Sequence, residues 1–365
     1  MSAESSSVSF PQERLLSLDA FRGFTMILLV SGGFGMRQLL EGTFLSPLAV
    51  QFTHHQWNGL YLWDLIQPFF MFIVGVAMPF SFGKRWERGD SWNDTFRHTL
   101  KRSAALLFFG LLLHCYYSKA YVFELWNVLS QLSVTYLVAF LFMRKSIRTQ
   151  IIASLVILLI NFVLYRTAPF IFDGVSSAWE KGTNFGSFMD RILMGKINDG
   201  GWVAINVIGS SAHTMWGVIA GTILKGSRPQ AEKIRMLLVA GVIAIIAGLA
   251  LDPVTPIIKR ICTSSFIIVS GGWSLVALTL FYWIIDVRGY KKWCMFLVVV
   301  GLNPIFIYLT KELLGMWVRD FIGIFALPFL GPLGRVGLAI HQDLVLLAFW
   351  YLAWWLWKRR IFLRI

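Results

Sequence analysis

An all-α protein that crosses a membrane many times is what this sequence predicts, on three observations. Hydrophobic residues make up 57% of the 365 residues and charged residues only 14%, where a soluble domain carries about 25%. Apolar runs recur along the chain with short charged stretches between them. Sixteen Trp and 31 Phe suit bilayer interfaces, where aromatic rings gather. The net charge of +14 is spread over small Lys/Arg clusters and no nucleic-acid motif accompanies it, which argues against a nucleic-acid partner. Cys115, Cys262 and Cys294 are far apart and lack metal-ligand spacing, so they read as apolar filler and no metal is expected.

Taken in order, the first residues, MSAESSSVSFPQE, lack the basic start, apolar core and cleavage site of a signal peptide. They read as a disordered cytoplasmic tail, 1–13, ahead of a single transmembrane domain, 14–365. Candidate helices follow at 24–40, 60–82, 103–117, 126–143, 151–165, 203–224, 236–251, 264–285, 294–308 and 344–357, about ten in all. Several fall short of the ~20 residues a span needs, so their ends must reach into flanking residues. The first holds Ser31, Gly32, Gly33 and Gly35. The run 321–330, interrupted by Gly323 and Pro328, reads as a re-entrant or interfacial piece.

Orientation comes from the cations. Lys84, Arg85, Arg88, Lys101 and Arg102 fall in one connection, and Arg144, Lys145 and Arg148 in another. Lys225, Arg228, Lys233 and Arg235 mark a third, Arg288, Lys291 and Lys292 a fourth, and Lys358, Arg359, Arg360 and Arg364 the tail. Such alternation predicts cytoplasmic termini and a multi-pass protein of the inner (plasma) membrane. It also puts His54 and His55 at the outer end of the second helix. The long connection 166–201, rich in Gly, Ser, Asp and Trp, exceeds a plain turn and reads as an outer cap over a substrate.

Three stretches carry candidate chemistry. In FTHHQWNGLYLWDLIQPFFMFIVG (52–75), Asp64 enters an apolar run, where a carboxylate is costly unless it faces a cavity or a partner. His54 and His55 precede it, and the bland alternative is a solvated pair at a helix end. In SLDAFRG (17–23), Asp19 and Arg22 are spaced to pair on one helical face; Arg22 is either a membrane anchor or a group aimed at phosphates. In DPVTPIIKRICTSSF (252–266), Lys259, Thr263 and Ser264 either cap a helix or bind a sugar. His114, Asn161, Asn206, His213 and Asn303 lie in apolar segments, as helix-packing glue singly or as the lining of a polar cavity together. No P-loop, nucleophile elbow, zinc spacing or dinucleotide fingerprint is present.

Taken together, these stretches resemble the transmembrane acyltransferases related to heparan-α-glucosaminide N-acetyltransferase. The ordered pieces are Ser17-Leu18-Asp19-Ala20-Phe21-Arg22-Gly23; His54, Trp57, Gly59, Asp64 and Pro68-Phe69-Phe70; Val128-Leu129-Ser130-Gln131; Pro256, Lys259 and Thr263-Ser264-Ser265-Phe266; and Gly301, Asn303 and Tyr308. The resemblance implies acetyl transfer from cytoplasmic acetyl-CoA to an amino sugar on the outer side, with His54 as the active-site histidine and Asp64 its partner. It points to Asp19, Arg22, Ser31 and Asn303 for the cofactor, and to His55, Trp57, Asn58, Lys259, Thr263 and Ser264 for the acceptor. Many relatives carry an asparagine where this chain reads Val30-Ser31-Gly32-Gly33, so Ser31 or a backbone N–H is the expected substitute. A homodimer is among the expected partners. His54 acts either as general base or as acetyl carrier. Two alternatives stand beside this reading: an amino-sugar or glycan transporter, and an O-acetyltransferase of an envelope polysaccharide.

Overall fold

The computed structural model describes residues 15–363; the expected tail at 1–13 lies outside them. The chain forms α1 (Leu16–Ser31), α2 (Met36–Leu40), α3 (Ser46–Ala49), α4 (Ile66–Glu87), α5 (Trp92–Ser118), α6 (Val128–Met143) and α7 (Ile147–Ile171). It continues through α8 (Phe185–Met194), α9 (Val207–Lys225), α10 (Gln230–Ala250), α11 (Ser264–Phe281), α12 (Met295–Gly301), α13 (Pro304–Leu330) and α14 (Arg335–Lys358). Among the described residues, 7 helices are long and apolar enough to cross a membrane: Leu62–Glu87, Ile147–Ile171, Ala204–Lys225, Gln230–Ala250, Ser264–Val287, Pro304–Leu333 and Arg335–Lys358. The protein is therefore a multi-pass, all-α membrane protein with seven candidate spans.

That count corrects the expectation of about ten, for identifiable reasons. The helix expected at 24–40 stops at Ser31, because Gly32 and Gly33 turn left-handed (φ 56° and 92°), leaving 16 residues or about 24 Å of helix. The 126–143 candidate yields the 16 residues of α6. The 103–117 candidate is the apolar later part of α5, whose start carries Asp94, Arg97, Lys101 and Arg102. The 294–308 candidate breaks at Asn303, since Pro304 has no N–H with which to continue α12 and instead opens α13. The 321–330 run is no re-entrant piece. It completes α13, with Pro328 close enough to the helix end to remove little. The placement of both termini on one side rested on an even number of spans and falls with it.

Two helices form the centre. α4 and α9 are mostly buried and pack along each other, with backbones in contact. A Cβ on Gly75 would sit 2.0 Å from the Thr214 carbonyl oxygen, and one on Gly217 would sit 2.1 Å from that of Phe72. Small residues allow this approach, the usual route to tight helix packing in lipid. α7, α10 and α13 are mostly exposed and turn Leu155, Leu159, Ile243, Ile246, Ile324 and Phe325 outward, as lipid-facing helices do. The segment between α7 and α9, including α8, folds over the N-terminal end of α4, where Trp57 Nε1 donates to the Trp179 carbonyl at 2.9 Å.

Candidate functional site

After a short 3-10 turn at Val50–Phe52, the chain runs without regular structure to a second such turn, Leu62–Leu65, that leads into α4. Gly59 makes the fold-back possible. Its φ is +139°, and a Cβ there would lie 2.4 Å from the His55 ring; its N–H donates to the Ile257 carbonyl at 2.8 Å. The loop thereby lays His54 over the start of α4, and His54 Nδ1 meets Asp64 Oδ1 at 2.9 Å. Asp64 Oδ2 accepts the backbone N–H groups of His55 and Tyr61, both at 3.1 Å. A buried carboxylate needs this many donors to remain charged. The Asp64 side chain is 2% exposed and that of His54 47%. The ring's protein hydrogen bonds are at Nδ1, so Nε2 faces outward.

Lys259 arrives from the loop between α10 and α11. Its Nζ lies 3.3 Å from Asp64 Oδ1 and 3.1 Å from His54 Nδ1. Thr263 pins that loop by accepting the Ile258 N–H at 3.0 Å and donating to the Pro256 carbonyl at 2.7 Å. Ser264 ties it to α7 by donating to the Leu158 carbonyl at 2.8 Å. Thr263 and Ser264 are buried, and their hydroxyls act on backbone. Asn161 donates to the Cys262 carbonyl, Asn206 to that of Arg260, and His213 bonds Ile267 and Ser270. Asn161 and Asn206 brace the loop before α11 and His213 ties α9 to α11, as helix-packing glue, instead of lining a common cavity. His114 is elsewhere, paired with Glu124 at 2.7 Å.

Burial holds His54 below the ordinary histidine range; the hydrogen bond to Asp64 opposes this, while the charges of Lys259 and Arg260 push the same way as burial. Burial likewise holds Lys259 below the usual lysine value, with Asp64 opposing. His54 is thus an uncharged imidazole near neutral pH, with a lone pair on Nε2 when Nδ1 carries the proton toward Asp64.

Aromatic walls flank this group. Trp202 stands edge-on to His54 at 6.5 Å between centroids and lies under Lys259 Nζ at 5.4 Å. Trp57 lies under Arg260 at 6.0 Å. His55 packs on Tyr61 at 4.7 Å, and Asn58 is exposed. Trp202 had no signal of its own in the sequence. It follows the cap expected at 166–201 directly, and its approach to His54 is purely tertiary.

A cavity runs along α4 from Phe70 to Arg88. It measures about 870 Å³, within the range of small-molecule sites. From α4 it is lined by Phe70, Ile73, Val74, Ala77, Met78, Ser81, Phe82, Lys84, Arg85, Glu87 and Arg88, most of them spaced to form one broad stripe of the helix. Extended upward, the stripe reaches Gln67 and then Asp64. Gln67 is hydrogen-bonded to Gln131 between the cavity and the His54 group. The cavity wall is cationic: Arg22, Lys84, Arg85, Arg88 and Arg102 line it with Glu87 as the one carboxylate. Arg102 carries a buried Nε without a partner.

Among the expected cofactor residues, Arg22 lines this cavity, held by Asp19 at 3.2 Å. Asn303 is buried behind its wall, donating to the Ile361 carbonyl and accepting the Leu363 N–H. Ser31 is remote from it, closing the end of α1 with a bond to the Leu28 carbonyl. Among the described residues no cluster of His, Cys, Asp and Glu could hold a metal ion.

Residues 14–181 match the family model described as heparan-alpha-glucosaminide N-acetyltransferase, catalytic. Over 100 residues the chain is 33% identical to human heparan-alpha-glucosaminide N-acetyltransferase and 31% identical to the mouse protein, in each case 27% of this chain and 14% of the relative. The chain therefore matches only 14% of the length of these curated relatives. The matched region holds His54, Asp64, Arg22 and most of the cavity wall; Lys259, Trp202 and Asn303 lie beyond it. The chain thus carries a region similar to the catalytic part of a membrane acyltransferase, which supports an enzyme.

Proposed function

We propose that this protein moves an acetyl group from acetyl-CoA to the amine of an amino sugar, with His54 as general base. One observation carries the reading: the His54–Asp64 pair sits at the turn that leads into α4, and the cation-lined cavity runs along α4 beyond it. Arg22, Lys84, Arg85, Arg88 and Arg102 in the cavity wall suit phosphates. The apolar shaft above them suits the less charged arm that leads to a thioester. On the positive-inside rule the Lys84–Arg88 end faces the cytoplasm, where acetyl-CoA is made, and His54 faces the other side of a plasma membrane.

The residues divide the work. Asp64 fixes the ring of His54 with the proton on Nδ1, the role a carboxylate plays in catalytic triads. Nε2 then takes a proton from the acceptor amine as its nitrogen attacks the thioester carbonyl carbon. The C–N bond forms, the C–S bond breaks, and the proton ends on the thiol. Trp202 and Trp57 offer flat faces to a sugar ring beside Nε2, with Asn58 at the rim for its hydroxyls.

The test is acetyl transfer by the purified chain in detergent from radiolabelled acetyl-CoA to glucosamine, with His54→Ala and His55→Ala alongside. Loss of transfer in His54→Ala with an unchanged folding profile is the expected result. Full activity in that variant would remove His54 from the reaction. An alkali-labile ester in place of an amide would reassign the acceptor group to a hydroxyl.

A further inference from the structure

Three atoms at the His54 site form a closed triangle. His54 Nδ1 is 2.9 Å from Asp64 Oδ1, Lys259 Nζ is 3.1 Å from that nitrogen, and Nζ is 3.3 Å from that oxygen. Nδ1 has a single bonding position in the ring plane. It either carries a proton, given to Asp64, or a lone pair, which can accept from Lys259. The side chain of Lys259 is 9% exposed, and its loop is pinned by Thr263 and Ser264. Its ammonium therefore faces the His54–Asp64 pair and not an incoming acceptor.

Asp64 alone would favour a charged imidazole, since an anion at hydrogen-bond distance stabilises the cation and raises the base's hold on its proton. A base that keeps the proton cannot turn over. An ammonium 3.1 Å away has the opposite effect. With Nδ1–H directed at Asp64, a second proton on Nε2 would place a charged imidazole 3.1 Å from an ammonium whose side chain is 9% exposed.

We propose that Lys259 is a positioning residue that keeps His54 uncharged and drives the proton it collects onward to the departing thiolate. The inference rests on the acetyl-transfer reading above. Asp64 sets the ring's orientation and tautomer, and Lys259 cancels the proton trap that Asp64 would otherwise create. The amine proton moves to Nε2 as C–N forms and C–S breaks, and it then leaves Nε2 for the sulfur. Lys259 retains its three protons throughout. The charged groups acting on His54 are Asp64, which favours the cation, and Lys259 and Arg260, which disfavour it.

The experiment is an NMR titration of histidine-ring-labelled full-length protein in detergent, with the His54 signal assigned by its loss in His54→Gln. In Lys259→Met the His54 midpoint is expected to rise by about 1 pH unit. The acid limb of the kcat/KM profile should move upward with it. Lys259→Arg, which keeps the charge, should restore both toward wild type. A purely structural lysine would lower the rate at every pH and move neither midpoint. If Lys259→Met is unstable because Asp64 is left unpaired, Asp64→Asn is compared with Asp64→Asn/Lys259→Met, and the midpoint must still rise in the double variant. A midpoint that stays put or falls in these comparisons overturns the proposal. Because the titration needs no turnover, a protein that titrates as expected yet transfers no acetyl group upholds the role of Lys259 and sinks the acetyl-transfer reading instead.

Discussion

At the N-terminal end of α4, His54, Asp64 and Lys259 lie within 3.3 Å of one another under a loop and two tryptophans. Farther along α4, five cations and one carboxylate line an open cavity of about 870 Å³. The first group is rigid and internally satisfied, with backbone donors fixing the carboxylate and hydroxyls fixing the lysine's loop. The second is rich in cations, two of which, Arg22 and Arg85, are paired with Asp19 and Asp90, and it has room for an anionic ligand. A preorganised group suits chemistry, where small displacements are costly. A roomy cationic group suits binding through phosphates. Placing both along one helix lets a long ligand be held at one end and react near the other.

The contrast predicts which kinetic constant each end controls. His54→Ala should cost about 10³–10⁴ in kcat, the upper range for a general base, with the KM for acetyl-CoA little changed. Asp64→Asn should cost about 10²–10³ in kcat through loss of the ring's orientation and tautomer. At the other end, Arg88→Ala or Arg102→Ala should raise the KM for acetyl-CoA about tenfold while sparing kcat, the loss of a charge-assisted contact made equally in ground and transition states. Initial rates over a matrix of both substrates read all of these. A kcat loss in the arginine variants would show that the two ends do not act separately.

The smallest effect concerns the wall that carries Trp202. Asp190 is fully buried; it accepts the Ala204 N–H at 2.9 Å and the Trp126 Nε1–H at 2.7 Å. Burial pushes its carboxyl up to about 6, against those two hydrogen bonds. A carboxyl raised above its unfolded value contributes stability that is full below about pH 4 and is lost as pH rises through about 6, on the order of 2–3 kcal/mol in all. Amide exchange in residues 195–204, corrected for intrinsic rate, should therefore be faster at pH 8 than at pH 5. Equal protection at both would show that the segment does not sense Asp190.

Much of this was open to a reader of the sequence. Asp64 in an apolar run required a partner, and the histidines ten residues earlier were the near candidates. Six of the helices expected from apolar runs are among the seven spans, because a long apolar run with few charges can cross lipid only as a helix. The misses have a common cause. Asn161, Asn206 and His213 suggested a polar cavity, but their partners are the loop before α11 and the first turns of that helix, which local spacing does not reveal. Ser31 was expected at the cofactor, yet the left-handed turn after it ends α1 away from the cavity. The 294–308 run looked continuous because hydropathy is blind to the break a proline imposes.

Composition and order alone determined that the chain would bury itself in a bilayer as helices, that Lys and Arg would collect at alternate connections, and that Asp64 would need a counter-group. Tertiary structure decided that this counter-group is a pair, His54 ten residues before it and Lys259 195 residues beyond it, with Trp202 against both. The physical reason is that a helix dictates its own face through its period, so the Asp64–Arg88 stripe is local information. The meeting of three chain segments depends instead on how α4, α9 and α11 close on each other, and no property of any one segment encodes it.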